Sequence, residues 1–523
     1  MTQPTQPTWS IVTTCAEPRA LMDAFVAHHL EQGAEQIFLC FDDPNDLSFD
    51  RLSKVPGVTC IKCDDKHWSR LSAKVGRPNG HRRRQTLNAE FVSNRLCKTD
   101  WITHIDADEF LLPRNENSIE SLLAAVPGHI DAMRILPAER AFKDFYTPGI
   151  ISLDGIFKLK PDGARSEWGR KIYGDLGELF PNGFQGHEVG KSFKRSRNKN
   201  ARLNIHFVRH NGENIEECKV KQSDGVLLHL FPASFEDWCY KFERRIFNVE
   251  YFNDMPKRAK RKYGVYGEVL SRNGEKGLRE LFDRLCVMKS DMAIISESPD
   301  MFIEPNINVK EMVSKHIEPY VKLAPFSHLS KPTPKEVKDD ERVFQIGMNR
   351  CGSKEICQMF ERRGWSYAHW DHGQLAADLR NSIINGIRPF QDYDSYQLIS
   401  DISISGGGGG VYDGFYDIEY ISSFYPRSIF ILNHRPVEEW INSRSTFRSG
   451  QYLSEHRDAY GFNSDNEVFE RWRSDWKSHV EKLRLMGESG RIKLIEYSLN
   501  TDRPNLFFEK LDNMMASSIE KNG

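Results

Sequence analysis

The sequence predicts an α/β protein with two domains, and three observations support this. Its 523 residues correspond to roughly two to four domains of typical size. A strand–helix pattern begins near residue 9 and again near residue 342, and such alternation is typical of α/β folds. Between them, residues 326–341 are polar, contain two prolines and lack apolar periodicity, which predicts a linker. We therefore expect domains at residues 1–325 and 342–523.

The first domain is predicted to hold a parallel sheet, because a strand–helix–strand order places parallel strands side by side. A basic loop at residues 79–84 precedes one helix, and residues 171–222 are expected to be irregular. The expected strands, from their apolar runs, are residues 9–14, 36–41, 58–62 and 101–105. The expected helices are residues 19–32, residues 85–97 and segments within residues 234–290.

Composition excludes several classes of protein. Lysine plus arginine number 72 and aspartate plus glutamate 74, a net charge of −2, which argues against nucleic-acid binding through bulk electrostatics. The chain has no apolar run long enough for a membrane span and no amino-terminal pattern of a signal peptide. The ten cysteines are scattered, as expected of reduced thiols, so we expect a cytoplasmic protein. Cys60 and Cys63 form a single CxxC without further ligands and are interpreted as ordinary thiols.

An acidic run follows the strand at residues 101–105. Asp106, Asp108 and Glu109 come directly after it, and side chains two residues apart point to the same side of an extended chain. We therefore expect the two aspartates to converge. Carboxylate oxygens beside an open coordination position suit Mg²⁺ or Mn²⁺ that also holds a diphosphate. Such an ion would stabilise a leaving nucleoside diphosphate.

This part of the chain resembles the family 2 glycosyltransferases of the GT-A fold. From Trp101 to Leu111 the sequence Trp-x-x-x-Ile-Asp-x-Asp-Glu-Phe-Leu is similar to the metal-site segment of one branch of that family. The resemblance covers about residues 9–245 and implies glycosyl transfer from a nucleotide sugar with a divalent cation. Other residues that agree are Thr13, Thr14, His28, His29, Asp42, Gly186, Gly190, Lys191, Ser192, His229, Ser234 and Lys241.

The resemblance implies roles for individual residues. Asp106 and Asp108 would bind the cation and the diphosphate, Glu109 would support them, and His187 or His229 would complete the metal ligands. A hydrogen-bonded structural histidine and a solvated basic loop stay open as alternatives. The acceptor base is not assigned, with Glu188 and Asp175 as candidates. The residues expected near the nucleotide are Glu17, Asp43, Arg84 and Gln85.

The second domain begins with a strand, a loop at residues 347–352 and a helix that starts at Ser353. A glycine-bounded loop of this kind directs backbone N–H groups at an anion. The Walker A pattern places lysine before the hydroxyl residue, whereas here Lys354 follows Ser353. The order therefore disfavours a nucleotide triphosphatase.

This loop resembles the 5′-phosphosulfate loop of the sulfotransferases. Arg435, with Ser443 eight residues later, is similar to the pair that holds the 3′-phosphate of their donor. Lys354 stands where that family usually has a hydroxyl residue. The resemblance implies a P-loop-like sulfotransferase fold that uses 3′-phosphoadenylyl sulfate. The residues expected to bind this donor are Gly347, Arg350, Cys351, Gly352, Ser353, Lys354, Arg435 and Ser443.

Catalysis in the second domain would use a cation and a base. Arg350 and Lys354 would stabilise the charge that develops on the bridging oxygen. The base is sought among residues at predicted strand ends, and His372 is the first choice because histidine has a suitable pKa. The other candidates for the base are His369, Asp371 and Asp401.

The two resemblances predict a bifunctional transferase. Its acceptor would be a glycan or glycolipid of a surface polysaccharide, with peripheral association with polysaccharide-assembly machinery. One alternative is a glycosyltransferase with a non-catalytic second domain, motivated by Lys354 and the glycine run at residues 406–410. Another is a second domain that binds ATP, with Asp401 as its Mg²⁺ ligand. The last is a scaffold without catalysis.

Overall fold

The computed structural model describes residues 6–44, 46, 48–72, 76–146, 153–161, 166–246, 257–321, 327–405 and 411–519. The glycine run at residues 406–410 lies outside them. The chain divides into two units, unit 1 at Met1–Lys322 and unit 2 at Leu323–Gly523. Both combine helices with β-sheets, so the α/β class is confirmed. None of the described helices has the length and apolarity needed to cross a membrane.

Unit 1 opens with the predicted strands and helix. Its strands are β1 (Trp9–Cys15), β2 (Gln36–Phe41), β3 (Val58–Lys62), β4 (Trp101–His104), β5 (Glu109–Pro113), β6 (Ala132–Ile135), β7 (Pro137–Lys143), β8 (Ile156–Leu159), β9 (Lys191–Arg195), β10 (Arg202–Leu203), β11 (Val208–His210), β12 (Glu213–Asn214), β13 (Cys218–Lys219), β14 (Gly225–His229), β15 (Val287–Met288) and β16 (Phe302–Ile303). Its helices are α1 (Arg19–Glu31), α2 (Ser48–Leu52), α3 (Asp65–Leu71), α4 (His81–Phe91), α5 (Ile119–Ala124), α6 (Ser166–Tyr173), α7 (Phe235–Ile246), α8 (Lys257–Cys286, interrupted at Gly274), α9 (Ala293–Glu297) and α10 (Val309–His316).

The main sheet of unit 1 has the strand order β13-β6-β9-β4-β1-β2-β3. Strands β4, β1, β2 and β3 are parallel, as expected. Strand β9 is antiparallel to both β4 and β6, so the expectation of a purely parallel sheet is wrong. It also lies in the segment expected to be irregular. Strand β9 contains Lys191 and Lys194, which a search for apolar runs does not recognise as strand residues, yet both are buried.

A second sheet in unit 1 has the order β16-β8-β7-β14-β5. Strand β14 is antiparallel to β5 and parallel to β7. This pairing places His229 opposite Glu109 on one side and opposite Glu139 on the other. The sheet therefore places Glu109, the last residue of the acidic run, beside His229, which is distant in sequence.

Helix α4 begins at His81, so most of the predicted basic loop at residues 79–84 forms its first turn. A π-helical turn, Val92–Leu96, follows it. Cys60 packs in the core on one face of the sheet, and Cys63 packs on the opposite face. The two thiols of the CxxC therefore cannot bind one ion together.

Unit 2 has a five-stranded parallel sheet in the order β18-β19-β17-β22-β23. The described strands of unit 2 are β17 (Val343–Gln345), β18 (Tyr367–His369), β19 (Leu398–Ser400), β20 (Ser403–Ser405), β21 (Val411–Asp413), β22 (Ile429–His434) and β23 (Lys493–Ser498), of which β20 and β21 form a separate two-stranded sheet. Its helices are α11 (Ser353–Arg362), α12 (Gln374–Asn385), α13 (Ile418–Phe424), α14 (Val437–Ser445), α15 (Gln451–Tyr460), α16 (Asp465–Glu488) and α17 (Pro504–Ile519).

Strand β17 is central in this sheet. The chain next forms β18 and β19 on one side of β17, and then β22 and β23 on the other. In parallel sheets, ligands bind at the carboxyl ends of the strands next to such a switch point. The loop at residues 347–352 lies at this position. The expected linker, as far as it is described, is hydrogen-bonded to unit 2: the N–H groups of Ser330, Thr333 and Val337 donate to carbonyl groups of that unit.

Candidate active sites

The acidic run of unit 1 forms a turn between β4 and β5. The Glu109 N–H donates to the Asp106 carbonyl at 3.0 Å. The acidic run is therefore a turn rather than the expected extended chain, and the metal roles of Asp106 and Asp108 stay predictions. Each aspartate binds a different lysine: Lys191 Nζ lies 2.6 Å from Asp106 Oδ2, and Lys241 Nζ lies 2.7 Å from Asp108 Oδ2.

These lysines keep both aspartates ionised. Burial raises the pKa of Asp106, but the charge and hydrogen bond of Lys191 together with His104 and His187 outweigh burial, and the pKa lies well below its usual value. Burial likewise opposes ionisation of Asp108, and Lys241 lowers its pKa. Gln85 Nε2 donates to Asp106 Oδ1 at 2.6 Å. The structure thus brings Gln85 to the acidic turn, as expected for a site residue.

A separate group of donors lies beside this turn. Glu109, His187 and His229 each offer one ligand atom, and these atoms lie within 4.8 Å of one another. His187 Nε2 is 3.0 Å from Glu109 Oε1, and the two imidazole rings stack with centroids 5.0 Å apart. The sequence named Glu109 and His187 as metal residues and His229 as an alternative.

Two buried nitrogens of this group, His187 Nδ1 and His229 Nδ1, have no hydrogen-bond partner among the described residues. Such atoms are rare in folded proteins. Burial also lowers the pKa of His229, which favours the neutral imidazole that binds metals. One carboxylate and two imidazoles suit Mn²⁺ or Zn²⁺. The residues therefore fit a divalent cation.

The remaining predicted residues of unit 1 lie at the same edge of the sheet or near it. Glu17 follows β1 and Asp43 follows β2, and both are half-buried. Arg84, by contrast, forms two hydrogen bonds with Asp42, at 2.7 and 2.8 Å. Its guanidinium is thus directed at a neighbouring carboxylate. The nucleotide roles of Glu17, Asp43 and Arg84 stay predictions.

The loop of unit 2 is held by side chains from three other elements. Asn433 Nδ2 donates to the Cys351 carbonyl at 2.9 Å, and Trp440 Nε1 donates to the Asn349 carbonyl at 2.9 Å. A ring nitrogen of His479 lies 2.8 Å from the carbonyl of Ile346. These elements are β22, α14 and α16. The loop is therefore fixed along its length.

Two glycines of this loop allow close approach. A Cβ at Gly347 would lie 2.1 Å from the Asn433 carbonyl oxygen. Gly352, with φ of 85°, caps α11, and a Cβ there would lie 2.5 Å from a methyl of Leu499. Both positions therefore require glycine. Ser353 starts α11 and Lys354 follows in its first turn, as predicted.

Cations gather around the loop. Burial and then the charge of Arg435 lower the pKa of Arg350, as like charges do. Arg350 Nε is buried and has no hydrogen-bond partner within the described part of the chain. Arg435 follows β22 and Ser443 lies in α14. This arrangement is typical of an anion site.

A second group of polar side chains, centred on His369, lies at the start of helix α11. His369 Nε2 is 3.1 Å from Ser353 Oγ and 3.5 Å from Asp401 Oδ2. Burial lowers the pKa of His369 to about 4, so it is neutral near pH 7. His372, the first choice for the base, is exposed, and its ring lies against Trp370. The structure thus brings His369, rather than His372, to the loop.

Backbone strain marks the same edge of unit 2. Five non-glycine residues at the carboxyl ends of β17, β18 and β19 have positive φ angles between 44° and 64°. Each such residue costs about 1–3 kcal/mol and persists where the surrounding structure holds it, commonly at functional sites. The five residues are Arg350, Trp370, Asp371, His372 and Asp401.

No protein-family model and no curated protein sequence matches the chain. Two solved structures are similar to part of it. One is 4-diphosphocytidyl-2C-methyl-D-erythritol synthase from Anaerococcus prevotii DSM 20548, with 13% identity over 37% of this chain and 73% of that protein, and a TM-score of 0.19. The other is glucosyl-3-phosphoglycerate synthase from Mycobacterium tuberculosis in complex with Mn²⁺, uridine diphosphate and phosphoglyceric acid. Its identity is 11% over 36% of this chain and 56% of that protein, with a TM-score of 0.18. Both TM-scores are too low to indicate a shared fold or activity.

Proposed function

We propose that unit 1 is a metal-dependent glycosyltransferase that uses a nucleotide sugar. The observation that carries this proposal is the group of Glu109, His187 and His229, whose ligand atoms lie within 4.8 Å of one another and whose two histidine Nδ1 atoms are buried without a hydrogen-bond partner among the described residues. It adjoins the acidic turn at the carboxyl end of β4. The resemblance of this segment to family 2 glycosyltransferases supports the same activity.

Each group at this site has a distinct part in the proposal. Glu109, His187 and His229 hold the cation, which when bound would neutralise charge on the leaving diphosphate. Asp106 and Asp108 hold the ammonium groups of Lys191 and Lys241 in place. These ion pairs offset the charge of the two aspartates, so the turn repels a diphosphate less than two unpaired carboxylates would.

The test is nucleoside diphosphate release by the full chain from a panel of nucleotide sugars. We expect slow release from one donor with Mn²⁺, and loss of release when the metal is chelated. Fresh Mn²⁺ should restore it. Equal release in chelator, or none from any donor at any metal concentration, would contradict the proposal.

We also infer that unit 2 binds 3′-phosphoadenylyl sulfate and transfers its sulfuryl group. The observation that carries this is the glycine loop held by Asn433 and Trp440, together with Arg350, whose buried Nε has no hydrogen-bond partner among the described residues, and Arg435 directly after β22. In the transfer, an acceptor oxygen bonds to sulfur as the bond between sulfur and the bridging oxygen of the donor breaks, and that oxygen leaves on the phosphate. His369, beside Ser353, takes the acceptor hydroxyl proton, and Lys354 and Arg350 stabilise the departing phosphate.

Donor binding tests this second activity. Isothermal titration of the full chain without metal should show micromolar binding of adenosine 3′,5′-bisphosphate and none of ATP. Preferential binding of ATP would favour the ATP-binding alternative, and binding of neither would favour a non-catalytic domain. The glycan or glycolipid acceptor, the cytoplasmic location and the assembly machinery stay predictions.

A further inference from the structure

We propose that Glu139, together with its buried partner Lys158, is a positioning residue that fixes His187 and His229 for metal binding. The inference rests on the metal site proposed above. Glu139 belongs to no motif of the sequence, and its position follows from strand pairing alone.

Four polar residues form a row across neighbouring strands of the second sheet of unit 1. Along β5, β14, β7 and β8 they are Glu109, His229, Glu139 and Lys158, each the register partner of the next. Side chains of directly paired residues lie about 4.5–5.5 Å apart at Cβ. Glu139 therefore flanks His229 on the side opposite Glu109. All four residues are buried.

Both oxygens of Glu139 are already used. Oε1 accepts from Lys158 Nζ at 2.9 Å and from the Gln185 N–H at 2.8 Å, and Oε2 accepts from the Gly186 N–H at 2.5 Å. A metal would compete with these three donors, so Glu139 is not a ligand. The two backbone N–H groups belong to the residues directly before His187. Glu139 therefore anchors the chain that carries this histidine.

Lys158 secures the other end of the same segment. Its ammonium donates to the Gly183 carbonyl at 2.8 Å and to the Tyr173 hydroxyl. The Tyr173 hydroxyl in turn donates to the same carbonyl at 2.8 Å. Burial alone would lower the pKa of Lys158, but Glu139 and Tyr173 raise it, so the ammonium stays charged. The segment from Gly183 to His187 is thus held by one buried ion pair.

Gly186 links this anchor to the second histidine. A Cβ at Gly186 would lie 2.9 Å from His229 Cε1 and 3.0 Å from Glu139 Oε2. The backbone of this residue is therefore packed between the imidazole and the carboxylate. Glu139 thereby positions His187 through its hydrogen bonds to the preceding backbone, and it positions His229 through the packing of Gly186 against that imidazole.

Mn²⁺ affinity of the full chain tests the inference. Loss of an orienting partner typically weakens metal binding about 10–100-fold, and we expect this for Glu139→Gln. Because that variant leaves Lys158 buried without its counter-charge, it could fail to fold. The double variant Glu139→Gln with Lys158→Met removes both charges. The variant Gly186→Ala keeps both charges and displaces His229 by its added methyl group. Both variants should bind Mn²⁺ at least about tenfold more weakly than the wild type.

A matched control is Glu120→Gln. Glu120 accepts from Trp9 Nε1 at 2.8 Å, at the start of β1 and away from the strand ends that carry the site. Its Mn²⁺ affinity should equal that of the wild type. Circular dichroism at the titration temperature separates loss of the fold from loss of the site.

The outcomes distinguish this inference from the metal site on which it rests. A wild-type chain that does not bind Mn²⁺ would overturn the metal site and this inference with it. Wild-type binding that is kept by folded Glu139→Gln, or by both other variants, would overturn the positioning role alone. Weakened binding in the folded variants, with the control unchanged, would support it.

Discussion

Replacing His187 and His229 together by alanine should abolish Mn²⁺ binding by the full chain. The change removes two of the three donor residues that the structure groups within 4.8 Å. Loss of only the orienting partner of a ligand costs about 10–100-fold, so loss of two ligands should exceed about 100-fold. Isothermal titration with Mn²⁺ measures the change, and each single variant should show an intermediate loss.

A histidine control and two aspartate variants make this result specific. The ring of His206 lies 4.6 Å from that of His187, but its Nδ1 is already 3.0 Å from the Gly190 carbonyl. His206→Ala should therefore keep most of the affinity. If Asp106→Asn and Asp108→Asn abolish Mn²⁺ binding while the histidine variants keep it, the aspartates are the ligands, as the sequence indicated.

Replacing Arg350 and Arg435 by alanine should remove binding of adenosine 3′,5′-bisphosphate by unit 2. A hydrogen bond to a charged group contributes about 1.5–3 kcal/mol of binding free energy, and each 1.4 kcal/mol corresponds to about tenfold in affinity. The double variant should therefore bind more than about 100-fold more weakly.

Arg448→Ala is the matched control for these variants. Arg448 directly follows Phe447, whose ring centroid lies 4.1 Å from the guanidinium carbon of Arg350. Its own partner is Glu455, at 3.3 Å. Its loss should leave the affinity unchanged. Wild-type affinity in the double variant would exclude the loop as the site.

Much of the framework could be predicted because it depends on local sequence. Strands β2 and β3 have the predicted bounds, residues 36–41 and 58–62, since both are short segments rich in β-branched, aromatic and other apolar residues. Strand β9 could not be predicted. Its buried Lys191 is stabilised by carboxylates from the acidic turn, and this compensation exists only in the folded chain.

The site shows the same division. The sequence named Glu109 and His187 but could not show that His229 lies beside them, because that juxtaposition depends on which strands pair. It also could not show that Asp106 and Asp108 would face different lysines across a turn. For Glu139 the sequence held no signal at all, since a glutamate within a strand is ordinary.

Hydrogen bonds from Asn433, Trp440 and His479 hold the loop at residues 347–352, and this affects the kinetics of donor binding. Conformational entropy of this loop is lost during folding, so a ligand does not have to order it on arrival. Association with unit 2 should then proceed in a single kinetic phase. Its rate constant should fall as salt screens the field of Arg350 and Arg435.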